Sequence, residues 1–275
     1  MTISPRQIAT ENEQIADRGS YRTRTGASVD ISAALTAARA GTVSYSPADD
    51  LGDAARGPFT GIVEVTAEGS VAAARRLYES GGKAVAVLNF ASARNPGGGY
   101  LRGARAQEED LCRSALLYRC LLEAPDYYAA HRASPDLRYS HRVIFSPGVP
   151  VIRDERGELA AQPIPVSFLT SPAPNAGQLA LRSEQPVSVR AVLAERAERV
   201  LAVASRHGVR ELVLGAWGCG VFRNDPAEVA EAFDLALRRY GAAFERVVFA
   251  VWDRNPVSAN RIAFADRFAL AAGPS

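Results

Sequence analysis

The sequence predicts an α/β fold, a three-layer sandwich around a mixed, mostly parallel central sheet, and three observations carry that prediction. Apolar runs of strand length at 62–66, 84–90, 211–214 and 246–252 alternate with helical patterns. The stretch from Ile62 to Phe90 reads as one β-α-β unit, whose crossover implies parallel strands. Two glycine-rich loops, at 97–99 and 215–220, each follow such a strand, which is where ligands of parallel sheets sit.

The chain has 275 residues, of which 47% are hydrophobic and 23% charged, enough to bury one extended core. Its 32 basic and 30 acidic side chains leave a net charge of +2, which argues against a general nucleic-acid surface. Any polyanion must be held locally, and no direct nucleic-acid binding is expected. Cys112, Cys120 and Cys219 are sparse and lack metal-ligand spacing, which fits a reducing compartment. Thr2 to Arg18 is too polar for a signal peptide and no apolar run approaches the length of a membrane span. A cytoplasmic protein without membrane contact is the expectation.

In chain order, Thr2 to Arg18 predicts a helix with Ser4 as cap, Pro5 in the first turn, and Ile8 and Ile15 on one face. A short helix from Ala33 to Ala40 and a strand from Thr42 to Tyr45 follow, then a loop holding Pro47, Asp49, Asp50, Gly52 and Pro58. Residues 1–60 therefore read as a helical extension packed on a core of residues 61–275. In that core, the strand Ile62–Thr66, a helix from Ser70 to about Ser80 and the strand Ala84–Phe90 come first. A helix from about Gln107 to Leu122 and strands from His141 to Val151 and Pro163 to Thr170 come next. The helix Val187–His207, the strand Glu211–Leu214, a helix opened by Asp225 and Pro226, the strand Arg246–Trp252 and the helix Ala259–Leu270 complete the pattern.

Gly97, Gly98 and Gly99 permit positive φ and bring backbone N–H groups against a ligand, at an entropic cost that a plain connection avoids. After seven intervening residues come Gln107, Glu108, Glu109 and Asp110, at the start of the next amphipathic helix. Acidic residues favour a first helical turn for dipole reasons alone, so the glutamates gain functional meaning only from the glycines upstream. The second loop, Gly215-Ala216-Trp217-Gly218-Cys219-Gly220-Val221-Phe222, has the composition of a phosphate cradle. It has neither the lysine of a P-loop nor the glycine spacing of the dinucleotide fold.

Triple glycine, seven residues, then Gln-Glu-Glu: with Leu88-Asn89-Phe90-Ala91-Ser92 before it and 215–222 after it, this pattern resembles the bacterial-type poly(ADP-ribose) glycohydrolases, which are catalytic macrodomains. The resemblance runs over roughly Gly61 to Trp252. It implies a macrodomain-like fold and hydrolysis of ribose-ribose bonds in poly(ADP-ribose) chains on modified proteins, with ADP-ribose as product. By the same resemblance Glu109 is the catalytic acid and base, Glu108 grips hydroxyls of the terminal ribose, and Gln107 supports the loop within the ligand site. Gly97, Gly98 and Gly99 approach the ligand from one side, and Gly218, Cys219, Gly220 and Val221 supply N–H groups from the other. Phe222 either packs on the ligand or anchors the core. Asn95 is chosen over Asn89 as the ribose contact. A bacterial protein that reverses ADP-ribosylation in the DNA damage response, without metal or cofactor, is implied. Removal of single ADP-ribose groups, or ADP-ribose binding without catalysis, are the alternatives.

One tension stands out. A helix N-terminus stabilises a carboxylate, whereas an acid catalyst needs a raised pKa. Cys219 lacks an evident base, and His131, His141 and His207 show no metal-ligand spacing. Residues 171–176 either help to form an adenosine pocket or make a rigid turn, and Tyr127, Tyr128 and Tyr139 either line the site or pack beneath it. A structural role is expected for Trp252 and Asp253.

Overall fold

The structure, a computed structural model, describes residues 3–52, 54–182 and 187–269. Its strands are β1 (Ser20–Arg22), β2 (Ser28–Asp30), β3 (Val43–Tyr45), β4 (Ile62–Thr66), β5 (Val85–Phe90), β6 (Val143–Arg153), β7 (Leu159–Ser171), β8 (Glu211–Leu214) and β9 (Arg246–Ala250). Its α-helices are α1 (Pro5–Arg18), α2 (Ser32–Ala40), α3 (Ser70–Glu79), α4 (Gln107–Ser114), α5 (Leu117–Leu121), α6 (Pro125–Ala133), α7 (Ala176–Leu181), α8 (Val187–Arg206), α9 (Pro226–Tyr240) and α10 (Ala259–Ala269).

Local signals set several boundaries. At α1 the Ser4 hydroxyl accepts the Gln7 N–H while the Gln7 side chain accepts the Ser4 N–H, a reciprocal cap with Pro5 just inside. Asp225 caps α9 by accepting from the Ala227 N–H, again with proline in the first turn. Leu270, the expected end of the last helix, lies outside the described residues.

Seven strands form the central sheet in the order β3-β6-β7-β5-β8-β9-β4. From β7 through β5, β8 and β9 to β4 every pairing is parallel, while β6 runs antiparallel to both β7 and β3. The sheet is mixed and mostly parallel, as expected. Alternation along β5 feeds both faces: Val85 and Val87 pack with α3, α4 and α6, and Ala86 and Leu88 with α8, α9 and α10. These are the three layers.

Three details differ from the sequence-based expectation. The strands β4 and β5 are parallel but not neighbours, because β8 and β9 lie between them; one crossover helix spans the gap. The helix expected over Gln107–Leu122 breaks at Ala115, which is extended (φ −121°, ψ 161°) and bridges to Val151, while the Leu116 N–H donates to the Pro150 carbonyl. A tertiary backbone contact thus overrides helix propensity in a segment free of glycine and proline. At the other end, β9 stops at Ala250 and Trp252 is 63% exposed, while Asp253 organises the following turn through the Asn255 N–H and the Ser258 hydroxyl. The structural role expected of that pair belongs to Asp253. No described helix is long and apolar enough to cross a membrane.

Candidate active site

The adjacent parallel strands β5 and β8 each run into a glycine-rich loop, so the two loops open side by side at one sheet edge. They are packed together as well: a β-carbon on Gly215 would meet the Ala250 carbonyl oxygen at 2.6 Å and the Phe90 ring at 3.1 Å.

Gln107 fastens the start of α4 to the end of β5. Its side-chain carbonyl accepts the Phe90 N–H at 2.9 Å, and its amide donates to the Leu88 carbonyl at 2.8 Å and the Ser70 hydroxyl at 3.2 Å. An amide is the one side chain of this length that offers acceptor and donor together. The next two residues inherit their placement from this anchor.

Glu108 is buried. One carboxyl oxygen accepts the Ser92 N–H at 2.7 Å, and the other accepts the side-chain amide of Asn89 at 3.2 Å. Burial pushes its carboxyl up to about 8; the hydrogen bonds from Ser92, Asn89 and Gly97 oppose that rise and the neighbouring Glu109 adds to it. Asn89 also donates to the Thr170 hydroxyl at 3.1 Å, joining β5, β7 and α4 through one amide.

Glu109 accepts the Gly99 N–H at 2.7 Å with one oxygen and the Ala106 N–H at 3.0 Å with the other. Gly98 passes directly over both carboxylates. A β-carbon there would lie 2.5 Å from Glu109 Oε1 and 3.0 Å from Glu108 Oε2, and its φ of +59° is already in glycine's territory. The triple glycine therefore differs from the bare-amide cradle expected. Gly97 and Gly99 direct N–H groups at Glu108 and Glu109, and the Gly98 N–H closes a turn on the Asn95 carbonyl. The loop positions the acids.

The second loop has the opposite character. Among the described residues, nothing accepts from the N–H groups of Gly220, Val221 or Phe222, and a β-carbon on Gly220 would meet open space. These are the donors that an anion requires. At the start of the following helix Asp225 takes the Ala227 N–H and Pro226 has none to give. The loop is braced from β7: Trp217 donates from its indole to the Ser171 carbonyl at 3.1 Å, and Asn224 donates to the Pro174 carbonyl at 2.9 Å. Gly218 (φ +72°) lies so close to Asn224 and Ala173 that a β-carbon would clash with both.

Of the other expected site residues, Val221 is 84% exposed and Phe222 is half-buried, with its ring 6.0 Å from that of Tyr139. Asn95 is exposed and meets the site through its backbone: its N–H donates to Ser92 Oγ and its carbonyl takes the Gly98 N–H. Burial pushes the Cys219 thiol up to about 12, far from a thiolate at neutral pH. Tyr127 and Tyr128 are buried beneath Glu108 rather than lining an opening. Sequence reasoning did not find Ser92, Thr170 or Ala106 as partners, because two act through backbone N–H groups, which no side-chain motif reveals.

Residues 9–154 match the family model described as the catalytic domain of microbial-type PARG. The chain is similar to the poly(ADP-ribose) glycohydrolase of Thermomonospora curvata bound to the inhibitor ADP-HPD, at 47% identity over 96% of this chain and 99% of that one, with a TM-score of 0.89. It is also similar to the Deinococcus radiodurans poly(ADP-ribose) glycohydrolase in complex with ADP-ribose, at 48% identity over 86% of this chain and 97% of that one, with a TM-score of 0.80. No curated protein sequence matches.

Proposed function

Because the chain belongs to the microbial-type poly(ADP-ribose) glycohydrolase family, we propose that it hydrolyses ribose-ribose O-glycosidic bonds in poly(ADP-ribose) and releases ADP-ribose. The observation that carries this reading is Gly98 lying against Glu108 and Glu109 together, beside a loop whose Gly220, Val221 and Phe222 N–H groups meet no acceptor among the described residues. Two acids and an anion cradle at one sheet edge suit a sugar joined to a diphosphate.

In this reading Glu109 gives its proton to the ribose oxygen that departs as the glycosidic bond breaks. Water then adds to the oxocarbenium-like carbon and returns a proton to Glu109. Glu108 holds hydroxyls of the terminal ribose, and with its carboxyl pushed up to about 8 it is largely a neutral acid at pH 7. The diphosphate rests on the second loop, where its charge favours the developing positive charge on the sugar. Phe222 packs on the ligand, and Asn95 contacts the terminal ribose. The reaction so read uses the chain's own side chains and no cofactor.

The substrate in this account is poly(ADP-ribose) on modified proteins, in the cytoplasm of a bacterium, where its removal reverses ADP-ribosylation after DNA damage. Incubation with poly(ADP-ribose) and, in parallel, with a mono-ADP-ribosylated protein tests the activity. Free ADP-ribose appears from the polymer; release from the mono-modified protein alone would assign the other hydrolase activity, and release from neither would contradict the proposal.

A further inference from the structure

Three described residues other than glycine hold positive φ: Ala84 at 53°, Tyr139 at 60° and Arg223 at 56°. Two of them converge on Phe222. Arg223 follows it in the chain, and the Tyr139 ring lies 6.0 Å from the Phe222 ring at a tilt of 41°. A bulky side chain in left-handed backbone is disfavoured and persists only where its surroundings hold it.

At Tyr139 the restraint is evident. Arg196, fully buried in α8, donates to the carbonyls of Pro172 at 2.7 Å, Arg138 at 2.7 Å and Tyr139 at 3.3 Å. Its hydrogen bonds thus tie the turn at Tyr139 to the loop that leaves β7. The Tyr139 ring also meets His131 edge-on, with centroids 5.9 Å apart. His131 is itself pinned by the Tyr127 carbonyl at 2.9 Å and the Ser140 hydroxyl at 2.8 Å. The ring neighbours both a fixed imidazole and Phe222. Glycine or asparagine would make the same turn without strain, so the backbone geometry does not explain a tyrosine.

We propose that Tyr139 is a positioning residue of the ligand site: held in left-handed backbone by Arg196 and backed by His131, it sets the orientation in which Phe222 meets bound ADP-ribose. The inference rests on the proposed function, in which Phe222 touches the ligand. Mere packing would tie any loss of affinity to a loss of stability, whereas positioning separates the two.

The separation can be measured with Tyr139→Asn, which suits positive φ but lacks the ring, and with Tyr139→Phe, which keeps it. For Tyr139→Asn, ADP-ribose binding by calorimetry weakens about tenfold, as expected for the loss of an aromatic pair that orients a contact. KM for the polymer rises in parallel, kcat stays within about twofold, and the melting temperature falls by less than about 4 °C, near the effect of 1 kcal/mol. Tyr139→Phe behaves as native. The effects of Tyr139→Asn and Phe222→Leu are non-additive, because the first acts through the second. Native-like affinity in Tyr139→Asn, strict additivity, or a loss of affinity only in step with stability overturns the inference. Tyr139→Gly replaces Tyr139→Asn if the latter does not fold, and failure of both to fold also overturns it. A native protein that binds no ADP-ribose would instead refute the proposed function beneath it.

Discussion

A β-carbon on Gly98 would stand 2.5 Å from Glu109 Oε1, so the glycine and the carboxylate occupy their places by mutual exclusion of any larger side chain. Gly98→Ala introduces that atom and also forces alanine to φ near +59°. We predict at least about a 100-fold loss of ADP-ribose release, since displacing a reacting group by an ångström has that order of effect. Stability falls by about 1–2 kcal/mol from the left-handed backbone. Gly220→Ala, where a β-carbon meets open space, keeps the native melting temperature. Equal stability of the two variants would contradict the packing described.

Gln107 is expected to act through structure. Gln107→Leu leaves the Phe90 N–H and the Leu88 carbonyl without their side-chain partners, at about 1–3 kcal/mol for each buried group. Gln107→Glu keeps the acceptor for Phe90 but turns an oxygen toward the Leu88 carbonyl. Thermal unfolding should show both variants melting lower, by about 2–4 °C for each kcal/mol lost. A native melting temperature in both would show that the anchor at α4 is dispensable.

How far the sequence reaches can be judged from these same residues. The caps at Ser4 and Asp225, the start of α4 at Gln107 and the strands β4, β5, β8 and β9 are written in local chemistry and were legible. So was the placing of both glycine loops at the ligand edge, which follows from parallel strands. Long-range pairing was not. The strand β3 reads as part of an accessory extension, yet Val43, Ser44 and Tyr45 pair with β6 in the central sheet. The break at Ala115 depends on Val151, far along the chain. The helices α6 and α7 went unread. Glycine signals backbone freedom but not what its N–H will meet, so 97–99 looked like a ligand cradle while the Gly97 and Gly99 amides face Glu108 and Glu109 and that of Gly98 closes a turn on Asn95. At Glu108 burial outweighs the donors around it and raises the carboxyl, which no local sequence pattern announces.

That rise has a consequence for stability. The folded-state pKa of Glu108, about 8, lies above the ordinary value of 4.5, so the native state binds the extra proton between those limits. The native protein therefore loses stability relative to a neutral side chain as pH rises from about 5 to 8. Glu108→Gln removes the titration, and its amide fits if Asn89 turns to accept from it. The melting temperature of Glu108→Gln relative to native should climb between pH 5 and pH 8. A difference independent of pH across that range would contradict the assignment.

Cys219 lies in the second glycine-rich loop, but its thiol is held up to about 12 by burial. Cys219→Ser should retain ADP-ribose release within about threefold, because thiolate chemistry is absent and only packing changes. Loss of turnover with unchanged ADP-ribose affinity would point to a nucleophilic cysteine instead.

The central claim is that Glu109 carries the proton in both halves of the reaction. Its direct test is the rate of ADP-ribose release from poly(ADP-ribose) by native protein and by Glu109→Gln, with ADP-ribose affinity measured on both. The account predicts rapid release by the native protein, a fall of about 10²–10⁴ in Glu109→Gln, the range for loss of a general acid-base group, and binding retained in both. Release by Glu109→Gln at the native rate would contradict it.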